Sequence, residues 1–243
     1  MKIGIYGGTF NPIHNGHIKL AENAKRLCKL DKVIFLPSGD SYMKSNVLPG
    51  RQRYHMVSLA LTGMDRMEVS DLEIRREGAT YSYETMEEFH GIYPEDELFF
   101  LMGEDSLRMI ELWKEPARLM GQCSLIVAAR LPDDAHKQYY PDDIGEAAAD
   151  GQYYSAETGE AAAESRHYPN DICGTRNNPA SDMHLPQYIR YLEKKYHTHI
   201  YRIEMRDMTS SSKIRAAVAK GQEIGGMVPE AVRDYIYAEY LYL

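Results

Sequence analysis

Cysteine is scarce in this chain. Cys28, Cys123 and Cys173 are far apart, odd in number and form no CxxC pair. A disulfide framework is therefore not expected, and the pattern fits a reducing compartment. Long apolar runs are missing too. No stretch approaches the roughly 18 consecutive apolar residues of a membrane span, and the run within MKIGIYGGTF is too short for a signal peptide. The expectation is a soluble, cytoplasmic protein with no membrane partner. Positive charge is in deficit: 28 Lys and Arg face 36 Asp and Glu, a formal net charge of −8. A uniformly basic surface for nucleic acid is not expected, and with it no nucleic-acid partner. Local basic clusters can still hold small anions. Two common nucleotide signatures are also absent. GxxxxGK[ST] does not occur, and GIYGGTF does not fit GxGxxG.

What is present is an ordinary globular composition. The 243 residues are 44% hydrophobic and 26% charged, enough to build a core. Short apolar runs alternate with helical patterns. KIGIY (2–6), KVIFL (32–36), MEVSDL (67–72), ELFFLM (97–102), SLIVAA (124–129) and HIYRIE (199–204) read as strands. Segments 18–30, 53–64, 185–197 and 228–241 repeat apolar residues at helical spacing. Strand followed by helix, repeated, reads as βαβ units around a parallel sheet. The expected fold is a Rossmann-like, doubly wound α/β sheet with flanking helices and a helical C-terminal part. We expect one domain over 1–243, with an acidic insertion at about 133–182. That stretch lacks periodicity and contains GEAAADGQYY and GEAAAESRHY, an approximate repeat.

Three segments carry candidate chemistry. In GGTFNPIHNGH (7–17), Gly7 and Gly8 end a strand, and a helix starts near Asn15 or Gly16. Glycines let a backbone approach a ligand, and a helix start favours a phosphate. His14 and His17 lie in that turn; packing, phosphate and metal all remain open for them. In MTSSSKIRAAVAKG (208–221), serines run into a helix carrying Lys213 and Arg215. They are good caps, and equally a second helix start offering hydroxyls and a guanidinium to phosphates. In LFFLMGEDSLRMIELW (98–113), a buried strand ends at Gly103, followed by Asp105 and the sole tryptophan, Trp113. Ligands of open α/β sheets bind beyond the carboxyl ends of strands. Trp113 could stack on a heteroaromatic ring or simply pack in the core.

Taken together, these segments resemble a known family. GGTFNPIHNGH looks like the GGTFxPxHxGH signature of the nucleotidyltransferase α/β-phosphodiesterase superfamily, and SSSKIR resembles its SSTxIR motif. VSDLEIRREGATYSYET (69–85), GEDSL and VPEAVRDYI are similar to segments of the bacterial nicotinate-mononucleotide adenylyltransferases. The resemblance implies transfer of AMP from ATP to nicotinate mononucleotide, giving deamido-NAD and pyrophosphate in NAD biosynthesis. It implies His14, His17 and Arg215 as the catalytic residues. The ATP site would comprise Gly7, Gly8, Thr9, Phe10, His14, His17, Gly103, Asp105, Ser210, Ser211 and Arg215. The mononucleotide would meet Lys44, Thr80, Tyr81, Ser82, Trp113 and Arg130. Mg²⁺ would arrive on the ATP phosphates, with no dedicated protein cage. A homo-oligomer is left open. So are nicotinamide mononucleotide or another phosphorylated acceptor, and an inactive nucleotide-binding regulator.

The chain departs from the family at several positions. PSGDSYMKSN (37–46) replaces the usual Pro-Pro-His-Lys, with Met43 where histidine is expected. Asn11 stands where Asp is common, and TYS replaces SYT at 80–82. The insertion at 133–182 lies outside the resemblance. His136, His167, Cys173 and His184 match no standard metal spacing.

Overall fold

The computed structural model describes residues 1–39, 47–130, 183–206 and 209–243. Six strands form one parallel sheet: β1 (Lys2–Gly8), β2 (Lys32–Pro37), β3 (Met67–Val69), β4 (Glu97–Gly103), β5 (Ser124–Arg130) and β6 (Ile200–Met205). Their order across the sheet is β3-β2-β1-β4-β5-β6. The chain therefore works outward from β1 on one side, then returns to β4 on the other. This reversal opens a crevice at the carboxyl ends of β1 and β4. Gly8 is level with Pro37 of β2, and Gly103 of β4 with Ala128 of β5.

Alternation along the strands assigns the helices to two faces. Val33, Phe35, Phe99, Leu101, Ile126 and Ile203 point to one face. There they meet α1 (Asn15–Leu27), α2 (Gly50–Ala60), α8 (Ser211–Ala219) and α9 (Glu230–Ala238). Ile3, Ile5, Ile34, Phe100, Leu125 and Val127 point to the other. That face is covered by α4 (Ser82–Ile92), α5 (Glu104–Arg108), α6 (Pro116–Met120) and α7 (Leu185–Tyr196). Burial on both faces explains why the strands read as nearly continuous apolar runs.

Several boundaries differ from the sequence reading. MEVSDL does not form one strand: β3 stops at Val69, and α3 (Leu72–Arg75) follows. The Ser70 hydroxyl accepts the Leu72 N–H at 3.3 Å, a local turn that competes with strand extension. α4 was not anticipated, although Tyr83, Met86 and Phe89 bury one face at helical spacing. α2 begins at Gly50 behind Pro49, three residues ahead of the expected start. α9 ends at Ala238, and Tyr240 and Tyr242 continue with positive φ of 51° and 68°. Lys44, Met43 and the whole of the 133–182 insertion lie outside the described residues. Among the described residues no helix is long and apolar enough to cross a membrane.

Candidate active site

β1 ends in Gly7 and Gly8, and the chain turns through Thr9 and Phe10 before reaching α1. A Cβ on Gly8 would stand 2.8 Å from the Phe10 ring, so only glycine lets the turn fold this tightly. Phe10 has a φ of +47° and is buried. It packs edge-on against Tyr6, with centroids 5.4 Å apart, and against His17 at 5.0 Å.

His14 is the N-cap of α1 and is buried; His17 is its third helical residue. The backbone N–H of His14 donates to Nδ1 of His17 at 3.1 Å. His17 thus occupies the place that Glu or Gln fills in a capping box. Because Nδ1 accepts, a neutral His17 ring must carry its proton on Nε2. Burial among Tyr6, Phe10 and His14 pushes the His17 pKa well below its ordinary value, and a charge on His14 pushes it further down. The two imidazoles stack with centroids 3.6 Å apart. The result is a neutral Nε2–H donor fixed at a helix start.

The SSSKIR segment reaches the same turn. Ser210 caps α8, its hydroxyl accepting from the Lys213 N–H at 3.3 Å. The Ser211 hydroxyl donates to the Pro12 carbonyl at 2.9 Å, and Arg215 Nη1 to the Asn11 carbonyl at 2.8 Å. A Cβ on Gly16 would lie 3.6 Å from the Thr209 carbonyl. The first turns of α1 and α8 therefore converge. Neither first turn contains an acidic residue to offset the positive helix end. α5 is different: its first turn carries Glu104 and the exposed Asp105, directly after Gly103. One part of the crevice suits phosphate, and the neighbouring part suits hydroxyls or an amino group.

Of the residues expected around the acceptor, Thr80, Tyr81 and Ser82 lie together at the start of α4. The Thr80 hydroxyl donates to Glu73 Oε2 at 3.3 Å, Tyr81 caps α4, and Ser82 is its first residue. Trp113 is half-buried, packed edge-on against Phe100 with centroids 6.2 Å apart. Lys114 Nζ lies 4.7 Å from the centre of the Tyr81 ring, which places Trp113 close to the start of α4. Both readings left open for Trp113 thus keep a footing, since it joins the core and retains exposed surface. Arg130 is the last residue of β5. Of the four residues weighed for an unusual metal cluster, His184 is the N-cap of α7, and the others fall outside the described residues.

Sequence reading passed over Arg53, Glu73 and Tyr242. Arg53 is wholly buried, and its arginine gave no signal within an amphipathic pattern. Glu73 was visible only as the acid opening EIRREG. The Tyr242 hydroxyl donates to Asn11 Oδ1 at 2.9 Å. That contact spans nearly the whole chain, and no local pattern announces it. Asn11 keeps an acceptor oxygen where the family often has a carboxylate, and the Leu48 N–H also points to it at 3.4 Å.

The cytidylyltransferase-like family model matches residues 5–217. A probable nicotinate-nucleotide adenylyltransferase of Pelobacter propionicus is 35% identical, covering 100% of this chain and 98% of its own. Its counterpart in Syntrophotalea carbinolica is 33% identical, covering 100% and 97%. The chain belongs to the nicotinate-nucleotide adenylyltransferase family. Among solved structures, a Plasmodium falciparum nicotinic acid mononucleotide adenylyltransferase complexed with NaAD superposes with a TM-score of 0.66. It is 18% identical, covering 99% of this chain and 97% of that one. At that identity the likeness speaks for the fold. Within this fold, the turn after β1 and the first turn of α8 meet through Ser211 to Pro12 and Arg215 to Asn11.

Proposed function

We propose that this adenylyltransferase transfers AMP from ATP to nicotinate mononucleotide, releasing pyrophosphate and forming deamido-NAD. A phosphate oxygen of the mononucleotide attacks the α-phosphorus. The new O–P bond forms as the bond to the bridging α–β oxygen breaks, and pyrophosphate leaves with the electron pair. The nucleophile is already ionised at neutral pH, so no general base is needed. The remaining task is to hold two polyanions together and stabilise charge on the transferring group.

The observation that carries this reading is the convergence of the two acid-free helix starts, joined by Ser211 to Pro12 and Arg215 to Asn11. In it, His17 donates from Nε2 to the α-phosphate, and His14 lines the same turn. Gly7, Gly8, Thr9 and Phe10 shape the backbone against ATP. Ser210, Ser211 and Arg215 meet the β- and γ-phosphates. Gly103 and Asp105 face the adenosine, where an acid suits a ribose hydroxyl. Trp113 stacks on the pyridine ring, and Thr80, Tyr81 and Ser82 lie by its carboxylate. Lys44 and Arg130 complete the proposed acceptor set.

In this reading Mg²⁺ would enter as part of the substrate Mg-ATP, where it would neutralise phosphate charge. Purified protein incubated with Mg-ATP and nicotinate mononucleotide should form deamido-NAD and pyrophosphate in equal amounts. Absence of both products would reject the reading.

A further inference from the structure

Arg53 is fully buried on α2. Its guanidinium reaches three separate segments. Nη1 donates to the Thr9 carbonyl at 2.8 Å, in the turn after β1. Nη2 donates to the carbonyls of Ser38 at 2.7 Å and Gly39 at 3.2 Å, just past β2. Nε donates to the Leu48 carbonyl at 2.8 Å, on the approach to α2. A position selected only for packing would favour an apolar side chain, because burying a guanidinium is costly unless its donors are used. Here they are used on backbone that borders both proposed substrate sites.

Glu73 meets the same backbone from the far side. It is buried, and its carboxylate accepts from Thr85 Oγ1 at 2.9 Å, Thr80 Oγ1 at 3.3 Å and the Gly39 N–H at 3.4 Å. A Cβ on Gly39 would stand 2.6 Å from the Glu73 carbonyl oxygen and 2.9 Å from Thr80 Cγ2. Gly39 is therefore held between Arg53 and Glu73, and through Glu73 it is tied to the Thr80 segment.

We propose that Arg53 is a positioning residue: it fixes the ATP turn at Thr9 and the acceptor edge at Ser38–Gly39 in one register, with Glu73 bracing Gly39 from the acceptor side. The proposal rests on the adenylyl-transfer reading, in which two separately bound phosphates must meet in line. Reacting atoms need to come within about 3–3.5 Å, and a displacement of about 1 Å can lower the rate on the order of a hundredfold. Arg53 touches neither substrate in this account; it sets the spacing of the backbones that do.

Arg53→Lys keeps the charge but cannot span three segments with a planar fork. It should lower kcat about tenfold to a hundredfold. The calorimetric Kd of ATP alone and of nicotinate mononucleotide alone should each change by less than about threefold. Turnover per folded molecule within twofold of wild type, or weakened binding of both ligands at unchanged kcat, would overturn the proposal. Glu73→Gln is the second variant, and it decides if Arg53→Lys fails to fold. It should raise the acceptor KM and leave the ATP KM unchanged; an equal rise in both, or no change in either, overturns it. Wild-type protein with no turnover would reject the functional reading instead. In that event amide hydrogen exchange judges the register. The Ser38 and Leu48 amides should exchange faster together in Arg53→Lys, and unchanged exchange at both would overturn the proposal.

Discussion

Nδ1 of His17 accepts the backbone N–H of His14 at 3.1 Å, while the two rings stack at 3.6 Å. One hydrogen bond thus caps α1 and fixes which nitrogen of His17 can donate. The ring has a structural role in this cap and, in the proposed reaction, a chemical one, and substitutions can separate them. His17→Glu should retain the cap, since Glu is the usual partner there. It should also place a negative charge where phosphate is proposed to bind. We expect a melting temperature near wild type and loss of ATP binding, measured by calorimetry. His17→Ala should lower kcat by about 10²–10³-fold with little change in acceptor KM. Near-normal turnover in His17→Ala would remove it from the catalytic role.

The depressed pKa of His17 has a consequence for stability. The folded protein keeps the ring neutral, whereas the unfolded chain protonates it near its ordinary value of 6.5. The stabilisation is fully present above that value. It is lost as pH falls from there towards the lower folded value, because the unfolded state binds the proton first. Urea unfolding between pH 8 and 5 should show wild type losing stability faster than His17→Gln below about pH 6.5. The extra slope should not exceed about 1.4 kcal/mol per pH unit, the limit for one proton. Parallel curves would contradict the buried neutral ring.

Trp113 lies with its edge against Phe100 and retains exposed surface. Trp113→Ala should raise KM for the mononucleotide about fivefold or more, the scale of stacking on a base at roughly 1–3 kcal/mol. The ATP KM should stay within twofold. A rise confined to ATP would move the pyridine ring elsewhere. A drop in melting temperature with both constants intact would leave Trp113 a packing residue.

Tyr242 reaches the turn after β1 from the far end of the chain. Its hydroxyl donates to Asn11 Oδ1, and burial raises its pKa well above the ordinary tyrosine value. Tyr242→Phe should cost roughly 1 kcal/mol, the net worth of one such bond. A weakening of ATP binding of about fivefold at most should accompany it. Unchanged stability and ATP affinity would show that Asn11 is held by its other contacts alone.

Local chemistry made much of this molecule legible in advance. Apolar runs such as KVIFL and ELFFLM announced a doubly covered parallel sheet, and their positions hold to within a residue or two. The glycine pair, the histidines and SSSKIR stood out because helix starts and tight turns demand particular residues. The sequence did not reveal that Ser211 and Arg215 would close on Pro12 and Asn11, since that contact depends on how α8 packs. Arg53 was hidden for the same reason. A buried arginine and a surface arginine on an amphipathic helix look alike until the carbonyls around them are seen. MEVSDL misled because Ser70 offers a turn that strand propensity does not register.

The most direct test of the account compares two acceptors under saturating Mg-ATP. We predict that kcat/KM for nicotinate mononucleotide exceeds that for nicotinamide mononucleotide by at least tenfold, on the scale of a site that pairs with one polar group. Pyrophosphate release and dinucleotide formation should agree. Equal efficiency with the two acceptors, or turnover of neither, would contradict it.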